Sequence, residues 1–303
     1  MFVGHAVLAF VVVAAAAVAV GTARRTALRL GVVAGLFATV PDVDMVYAVA
    51  GLLDGGDVFA MADGFWRAST VAHRGVTHSL VVGLPAAVAF GLVGTRSRVA
   101  AVVLGALVVV AAVSSGPLAA TVTALFAGGG WLVGRLGTHW GLPTRAQIGA
   151  AVVGVLTHPF GDVFTGTPPA FLYPLEGSLL ADRVGPFADP TLDLLLAFGV
   201  ELAVLWAGVI AVAWLTNRSV RRGIDRRAGV AAAYGVAAIV LTPPTMAASY
   251  QFVFSVLALG VVGAVPHRQP LDVPDPWETV VTGLAAITVG GLAYTVTYLL
   301  VGA

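Results

Sequence analysis

The chain has 303 residues, of which 59% are hydrophobic and only 10% are charged, and its mean hydropathy is +0.96. A water-soluble domain needs far more surface charge, so this composition excludes one and indicates an integral membrane protein. The formal net charge is +1, all 16 basic residues are arginine, and the lack of cysteine excludes disulfides and thiolate metal sites. We expect no nucleic-acid partner.

Apolar segments of about the length that a bilayer-crossing helix needs recur along the whole chain, and the strict alternation of a membrane β-barrel is absent. We predict an all-α, polytopic transmembrane bundle of about ten helices. The number falls to eight if Ser114-Ser115-Gly116-Pro117 and Pro243-Pro244 are kinks inside helices instead of turns between them. The predicted segments are 4–21, 28–53, 76–94, 99–113, 117–134, 146–165, 192–215, 228–242, 245–264 and 278–301.

The first apolar run is similar in length to a secretory signal, but its flanking charges are reversed. No basic residue precedes it, whereas Arg24, Arg25 and Arg29 follow it. We therefore predict a retained transmembrane helix.

Arginine is distributed very unevenly between the two membrane sides if every break in the apolar pattern is a turn. Only Arg67, Arg74 and Arg183 then fall on the side of the N-terminus. Because basic loops stay cytoplasmic, we predict a multi-pass protein of the inner membrane with its N-terminus outside. The arginines on the cytoplasmic side are Arg24, Arg25, Arg29, Arg96, Arg98, Arg135, Arg145, Arg218, Arg221, Arg222, Arg226, Arg227 and Arg268.

In this topology, four polar clusters meet at the outer ends of their helices. The side chains are histidine and aspartate, which bind hard or borderline divalent metals through nitrogen and oxygen. If 99–134 crossed the membrane once, His158 would lie on the side opposite His73 and His78, and no shared site could form. The predicted ligands are His5, Asp42, Asp44, His73, His78, His158 and Asp162.

The spacing of these residues and the free-energy cost of carboxylates in lipid support their assignment as metal ligands. Each residue also has a simpler explanation that needs no metal. His158 and Asp162 are four residues apart and share a helix face if Pro159 is tolerated there. Two carboxylates near Pro41 would be costly in lipid unless a cation or water accompanies them. The plainer explanations are a backbone hydrogen bond for His158, a helix N-cap for Asp44, and a headgroup-level position for His5.

The segment His73-Arg74-Gly75-Val76-Thr77-His78-Ser79 can turn at Gly75, and Thr77 could cap the helix that follows. Arg74 would then present a planar donor fork to a phosphate or carboxylate, unless it merely extends to the interface. Two long outer loops, 54–74 and 166–190, could cover the site.

Several further polar residues are candidates with weaker support. Asp193 and Glu201 could orient a ligand histidine, and Tyr173 and Glu176 could contact substrate. His139 and His267 fall in predicted cytoplasmic loops and are excluded from the site.

Four motifs together resemble the YdjM-like family of membrane-bound metal-dependent hydrolases, over about residues 1–177. They are Gly4-His5, Val40-Pro41-Asp42-Val43-Asp44, the 73–79 segment, and Thr157-His158-Pro159-Phe160-Gly161-Asp162-Val163-Phe164-Thr165. The resemblance implies an inner-membrane helical domain over 1–177 with His and Asp as metal ligands. Residues 178–303 would be additional transmembrane helices packed on it. The order of ligands is also distantly similar to that of zinc-dependent phospholipase C, although the N-terminal Trp and the later His-x-x-x-Glu are missing.

We therefore predict a membrane hydrolase with one or two divalent ions, preferably zinc, at the outer face. Seven ligands exceed the four of one tetrahedral zinc, so Asp44 is predicted to bridge two ions or to act as general base. Arg74 is predicted to hold an anionic group of a phospholipid or lipid-linked phosphoester.

Two other functions fit part of the pattern. A transporter could hold the ion in transit, although apart from Glu201 few polar residues continue through the membrane. A regulatory scaffold could bind a cytoplasmic partner through 218–227, although ordinary arginine anchoring explains that loop too.

Overall fold

A computed structural model describes residues 3–69, 73–245, 248–266 and 275–301. Regular secondary structure in these ranges is helical, as predicted. The chain divides into two compact units, Met1–Val184 and Gly185–Ala303, which we describe separately. The predicted boundary after residue 177 lies near the end of the first unit.

Six α-helices and two 3-10 segments build the first unit. A bend of 49° separates α2 from the 3-10 helix that follows, because Pro41 has no N–H to continue the α-helical ladder. The α-helices are α1 Gly4–Ala19, α2 Arg24–Thr39, α3 Val58–Ser69, α4 Leu80–Leu92, α5 Ser97–His139 and α6 Thr144–Asp162, and the 3-10 segments are Pro41–Asp54 and Val76–His78.

Helix α5 folds back on itself at Gly116. The backbone there leaves helical geometry, at φ 81° and ψ −170°, and Pro117 follows. A straight helix of its 43 residues would be about 63 Å long. Instead Gly94, just before the helix begins, packs against Thr138 near its end. The two arms are therefore antiparallel, and the chain turns at the predicted Ser114–Pro117 break.

Close glycine contacts fix the directions of the neighbouring helices. Gly83 packs on Val155 and Gly91 on Ile148, so α4 and α6 are antiparallel. Gly154 packs against the Ala34 carbonyl of α2. Since α1 and α2 are joined by the short turn 20–23, the start of α1, the end of α2, the start of α4 and the end of α6 lie together. We call this the histidine end of the unit.

The opposite end of the unit carries most of its arginines. Arg29 donates a hydrogen bond of 3.3 Å to the Trp140 carbonyl and so ties two of the turns at this end. We call it the arginine end. Its arginines are Arg24, Arg25, Arg29, Arg96, Arg98, Arg135 and Arg145.

The second unit surrounds an aromatic core in which Phe252 packs on Tyr294 at 4.9 Å between ring centroids, and Phe198 and Tyr234 flank it. Its predicted segments 228–242 and 245–264 are not single α-helices within the described residues. Arg268 and His267 lie outside those residues. The helices are α7 Pro190–Thr216, α8 Val220–Gly223, a 3-10 helix Arg226–Val236, α9 Ala237–Val240, α10 Tyr250–Ala258, α11 Val261–Ala264 and α12 Pro276–Val301.

Three helices of the described chain, α5, α7 and α12, are long and apolar enough to cross a membrane, or four if α2 and Pro41–Leu53 form one bent span. The prediction of ten crossings is therefore not confirmed, since several apolar segments form shorter helices. The predicted outer loop 54–74 was wrong in part, because it contains α3.

Candidate metal centre

The histidine end brings together side chains from four separate parts of the first unit. His158 and Asp162 lie at the end of α6, which continues through Pro159, so the proline is tolerated there. Asp42 begins the 3-10 helix after α2, and His78 ends the 3-10 turn before α4. His78 and His158 are fully buried, Asp162 is 2% exposed, and Asp42 is the most exposed of the four.

Four atoms of these side chains converge on one point. His78 Nε2 and His158 Nε2 are 3.0 Å apart. Asp42 Oδ1 lies 3.2 Å from His158 Nε2 and 3.7 Å from His78 Nε2, and Asp162 Oδ2 lies 3.6 and 3.2 Å from the same two nitrogens. Ligand atoms about 2.0–2.1 Å from a tetrahedral zinc would be about 3.3 Å apart. The distances among His78, His158 and Asp162 scatter around that value, so these three donors fit three corners of a tetrahedral site, and Asp42 lies beside both nitrogens.

One of the converging atoms has no proton to offer. His158 Nδ1 lies 2.6 Å from the Ala38 carbonyl, which can only accept, so Nδ1 carries the proton. In the neutral ring Nε2 is then a lone pair directed at His78 and at two carboxylates. A cation at the centre would stabilise these groups.

Asp44 lies behind His78, on the side away from the convergence point. The buried carboxylate accepts hydrogen bonds from the Arg74 backbone N–H at 3.1 Å and the Thr77 hydroxyl at 2.9 Å. It also lies 3.3 Å from His78 Nδ1 and 3.0 Å from His73 Nδ1. A carboxylate that holds the far nitrogen of a ligand histidine fixes the ring's tautomer and direction.

Asp162 is held in a similar way from behind. Its Oδ1 lies 3.2 Å from His5 Nε2 and 3.5 Å from the Arg74 guanidinium, which leaves Oδ2 directed at the convergence point. The His5 ring also packs on His158, with centroids 4.0 Å apart. His5 thus contacts two of the four central residues.

Arg74 links the 73–79 segment to the loop after α6. Its guanidinium donates to the Thr165 hydroxyl and the Thr167 carbonyl, both at 2.9 Å, and its own carbonyl accepts from Ala170 N–H at 2.9 Å. The backbone of Arg74 has φ 69°, a strained region for a residue other than glycine. Its donors are therefore engaged largely by the protein itself.

Ser79, not Thr77, caps α4. The Ser79 hydroxyl oxygen accepts from Val81 and Val82 N–H, and the hydroxyl donates to the Tyr173 carbonyl at 2.6 Å. The prediction of a Thr77 cap was wrong, because the helix begins two residues later and the Thr77 hydroxyl turns to Asp44 instead.

All seven predicted ligands belong to groups that could hold an ion. In each group the ligand atoms lie within 4.8 Å of one another. His158 and His78 each belong to two of the groups, so the groups form one continuous cluster. The groups are Asp42, His78 and His158; His5, His158 and Asp162; and Asp44, His73 and His78.

Other polar candidates lie apart from the cluster or in the second unit. His139 is exposed at the arginine end, and Glu176 is exposed in the loop after α6. Asp193, in the second unit with Glu201, accepts a hydrogen bond from Phe187 N–H at 2.9 Å. The roles of Ala38, Thr77 and Thr165 could not be read from the sequence, because each depends on contacts distant along the chain.

The cluster's motifs match a known family. The model of the YdjM inner membrane protein family covers residues 1–245. The chain belongs to this family. The match extends beyond the motif-bearing region 1–177 into the second unit. The family's description and the apolar helices agree on a membrane protein. No curated protein and no solved structure matches the chain.

Proposed function

We propose that the chain is an integral membrane metal-dependent hydrolase that cleaves a phosphoester of a lipid or lipid-linked substrate at the extracytoplasmic face. The observation that carries this proposal is the pair of buried imidazole nitrogens 3.0 Å apart, each with two carboxylate oxygens within 3.2–3.7 Å. Two nitrogen and two oxygen donors without sulfur suit zinc.

His78, His158 and Asp162 would hold one ion, and Asp42 would lie beside the position left open for water. The other predicted ligands would position these residues. Asp44 is already engaged by several donors, so we propose that it orients His78 instead of bridging two ions. His5 and Arg74 orient Asp162. When bound, the ion would supply a water of lowered pKa and polarise the scissile phosphoryl oxygen.

Asp42 lies on the side of the cluster from which substrate and water would approach. Its side chain is 29% exposed, whereas those of His78, His158 and Asp162 are at most 3% exposed. A carboxylate at that position can accept a proton from the attacking water. The Arg74 guanidinium, 12% exposed, lies close enough to attract an anionic group by charge.

The arginine distribution supports an outward-facing site. Seven arginines of the first unit lie at the end opposite the cluster. Because basic residues stay cytoplasmic, the histidine end would face outward.

The depth of the cluster supports a lipid substrate. From Thr144 at the arginine end, α6 rises only about 21 Å to His158. The hydrocarbon layer is about 30 Å thick. If the arginines mark one boundary of that layer, the cluster lies short of the other, where lipid headgroups and upper acyl chains surround it.

Metal analysis of purified protein tests the site. We expect about one zinc per chain in the natural protein and in His139→Ala, a control histidine outside the cluster. His78→Ala and His158→Ala should each retain less than about a tenth of that amount. Unchanged metal content in both cluster variants would overturn the proposed site.

Release of phosphate or headgroup from lipid phosphoesters in nanodiscs tests the activity. We expect release that a chelator abolishes and added zinc restores. A protein that binds zinc but releases nothing from any lipid phosphoester would retain the metal site and lose the hydrolase assignment.

A further inference from the structure

Residues 41–69 form a helical hairpin that begins at Asp42 and Asp44 of the metal centre and ends four residues before His73. The 3-10 helix Pro41–Asp54 leads away from Asp42 and Asp44, and α3 returns towards His73. The two arms touch backbone to backbone at Gly51 and Gly64, where a side chain would not fit. Such glycine contacts join helices closely, as in membrane helix pairs.

The tip of this hairpin exposes large apolar side chains. Leu53 is 86% exposed, Val58 78% and Phe59 72%. Along the first arm, Val46 and Val49 are also more than half exposed. Contiguous exposed apolar side chains of this size are characteristic of a surface that another apolar phase covers.

The hairpin also carries polar groups that limit how deeply it can enter lipid. Asp57 at the tip accepts hydrogen bonds from Phe59 and Ala60 N–H, and it caps α3. Further along α3, exposed Arg67 and Asp63 form an ion pair of 3.2 Å. Charges are tolerated at the headgroup level but not in the hydrocarbon centre.

Lipid is the occupant that best fits these observations. The first arm and α2 together meet the length and hydropathy expected of a membrane span, with a 49° bend between them. The arm is therefore a continuation of a membrane helix. Its base is the cluster, which we place below the outer headgroups. Because the first arm starts at that depth and bends away from α2, at least part of its length lies among lipids.

We propose that the hairpin 41–69 lies in the outer lipid interface and binds the apolar part of the substrate, so that the phosphoester reaches Asp42 from the membrane plane. This inference rests on the proposed hydrolase function and restricts the class of substrate. The substrate is a phosphoester with a long hydrocarbon chain, not a water-soluble ester.

Spin labels on single cysteines test the hairpin's position without any need for activity. The chain has no cysteine, so Leu53→Cys, Phe59→Cys and the matched control Asp63→Cys on α3 can be labelled in nanodiscs. Val113→Cys, on α5 and 83% exposed, supplies a reference in lipid. We expect labels at 53 and 59 to be open to oxygen and shielded from a water-soluble nickel complex, as at 113, with the reverse at 63.

Two results would overturn the membrane position. Labels at 53 and 59 could be as open to the nickel complex as that at 63, which means that the tip is in water. They could instead be shielded from both probes, which means that protein covers the tip.

Turnover of two substrates tests the role of the hairpin. Leu53→Ser combined with Phe59→Ser should lower kcat/KM about tenfold for a long-chain lipid phosphoester in nanodiscs, because the apolar contact is lost. The same variant should keep zinc and change kcat/KM less than about twofold for a short-chain ester with the same headgroup.

Equal loss on both esters, or none on the long-chain ester, would overturn the inference while the hydrolase assignment remains. If the natural protein cleaves neither ester, the hydrolase assignment fails and so does the substrate role of the hairpin. The spin labels then decide its membrane position alone.

Discussion

Both units of the chain hold polar side chains in or beside their cores, but they satisfy them differently. In the second unit, donors face acceptors. Tyr298 donates to Asp189 at 2.8 Å, and the Tyr234 and Ser255 hydroxyls are 2.6 Å apart. The Tyr298 hydroxyl holds the pKa of Asp189, at the start of α7, below its usual range. Each contact joins a donor to an acceptor.

In the first unit, a lone pair faces carboxylate oxygens. The lone pair of His158 Nε2 and the oxygens of Asp42 and Asp162 converge, while the Nδ1 proton of His158 points away to the Ala38 carbonyl and Asp44 accepts hydrogen bonds behind His78. Burial alone therefore does not distinguish a structural polar group from a ligand. The direction in which the protons point does.

The sharpest test of this contrast replaces one carboxylate in each unit by its amide. Asp162→Asn keeps the size of the side chain but removes a charge from the cluster, so zinc affinity should fall on the order of 100-fold or more. Asp189→Asn, the control in the second unit, should leave zinc affinity unchanged, since Asn is also a good helix cap. Zinc titration by calorimetry measures both. Equal affinities for Asp162→Asn and the natural protein would remove the distinction between the units.

A smaller effect is expected from Asp44→Asn, because Asp44 acts on zinc only through His78. We expect zinc affinity to fall about 10- to 100-fold, while saturating zinc still binds at the natural stoichiometry. If stoichiometry also falls, Asp44 is a direct ligand, as the sequence suggested. Competition with a zinc indicator measures affinity and stoichiometry together.

The smallest effect concerns the helix packing that sets the cluster's geometry. In Gly154→Ala the new Cβ would lie 2.5 Å from the Ala34 carbonyl oxygen, so α6 must shift against α2, at a cost of about 1–3 kcal/mol in unfolding free energy. Gly149→Ala, on the same helix, meets open space and should be neutral or stabilising by up to about 1 kcal/mol. Thermal unfolding in detergent measures both variants. Equal stabilities would show that the α2–α6 contact does not constrain His158.

The sequence predicted the class of fold and the members of the cluster well. The four-residue spacing of His158 and Asp162 depends only on local geometry, and the structure brings all seven predicted ligands together. The left-handed residue of the 73–79 segment is Arg74 and not the predicted Gly75. The turn at Gly116 was also visible in the sequence, because glycine beside proline interrupts an apolar run.

The sequence could not predict which residues face the centre of the cluster and which position them from behind. Whether Asp44 faces the centre or stands behind His78 depends on the Thr77 hydroxyl and the Arg74 N–H, which reach it only in the folded state. Hydropathy also cannot distinguish a full crossing from a short apolar helix such as α10, so the predicted ten crossings are not confirmed. Helix α3 was missed because Gly and Asp dominate the segment before it.

Helix α5, which reverses at Gly116, lies in the sequence between two sets of predicted ligands. The two sets are therefore synthesised at different times. Asp42 and His78 are synthesised before α5, and His158 and Asp162 after it. A nascent chain that has inserted everything up to α5 therefore holds five of the seven cluster residues and lacks His158 and Asp162. Loading of the proposed metal would then wait for α6, so the ion would act as the final step of assembly and distinguish a completed first unit from an unfinished one.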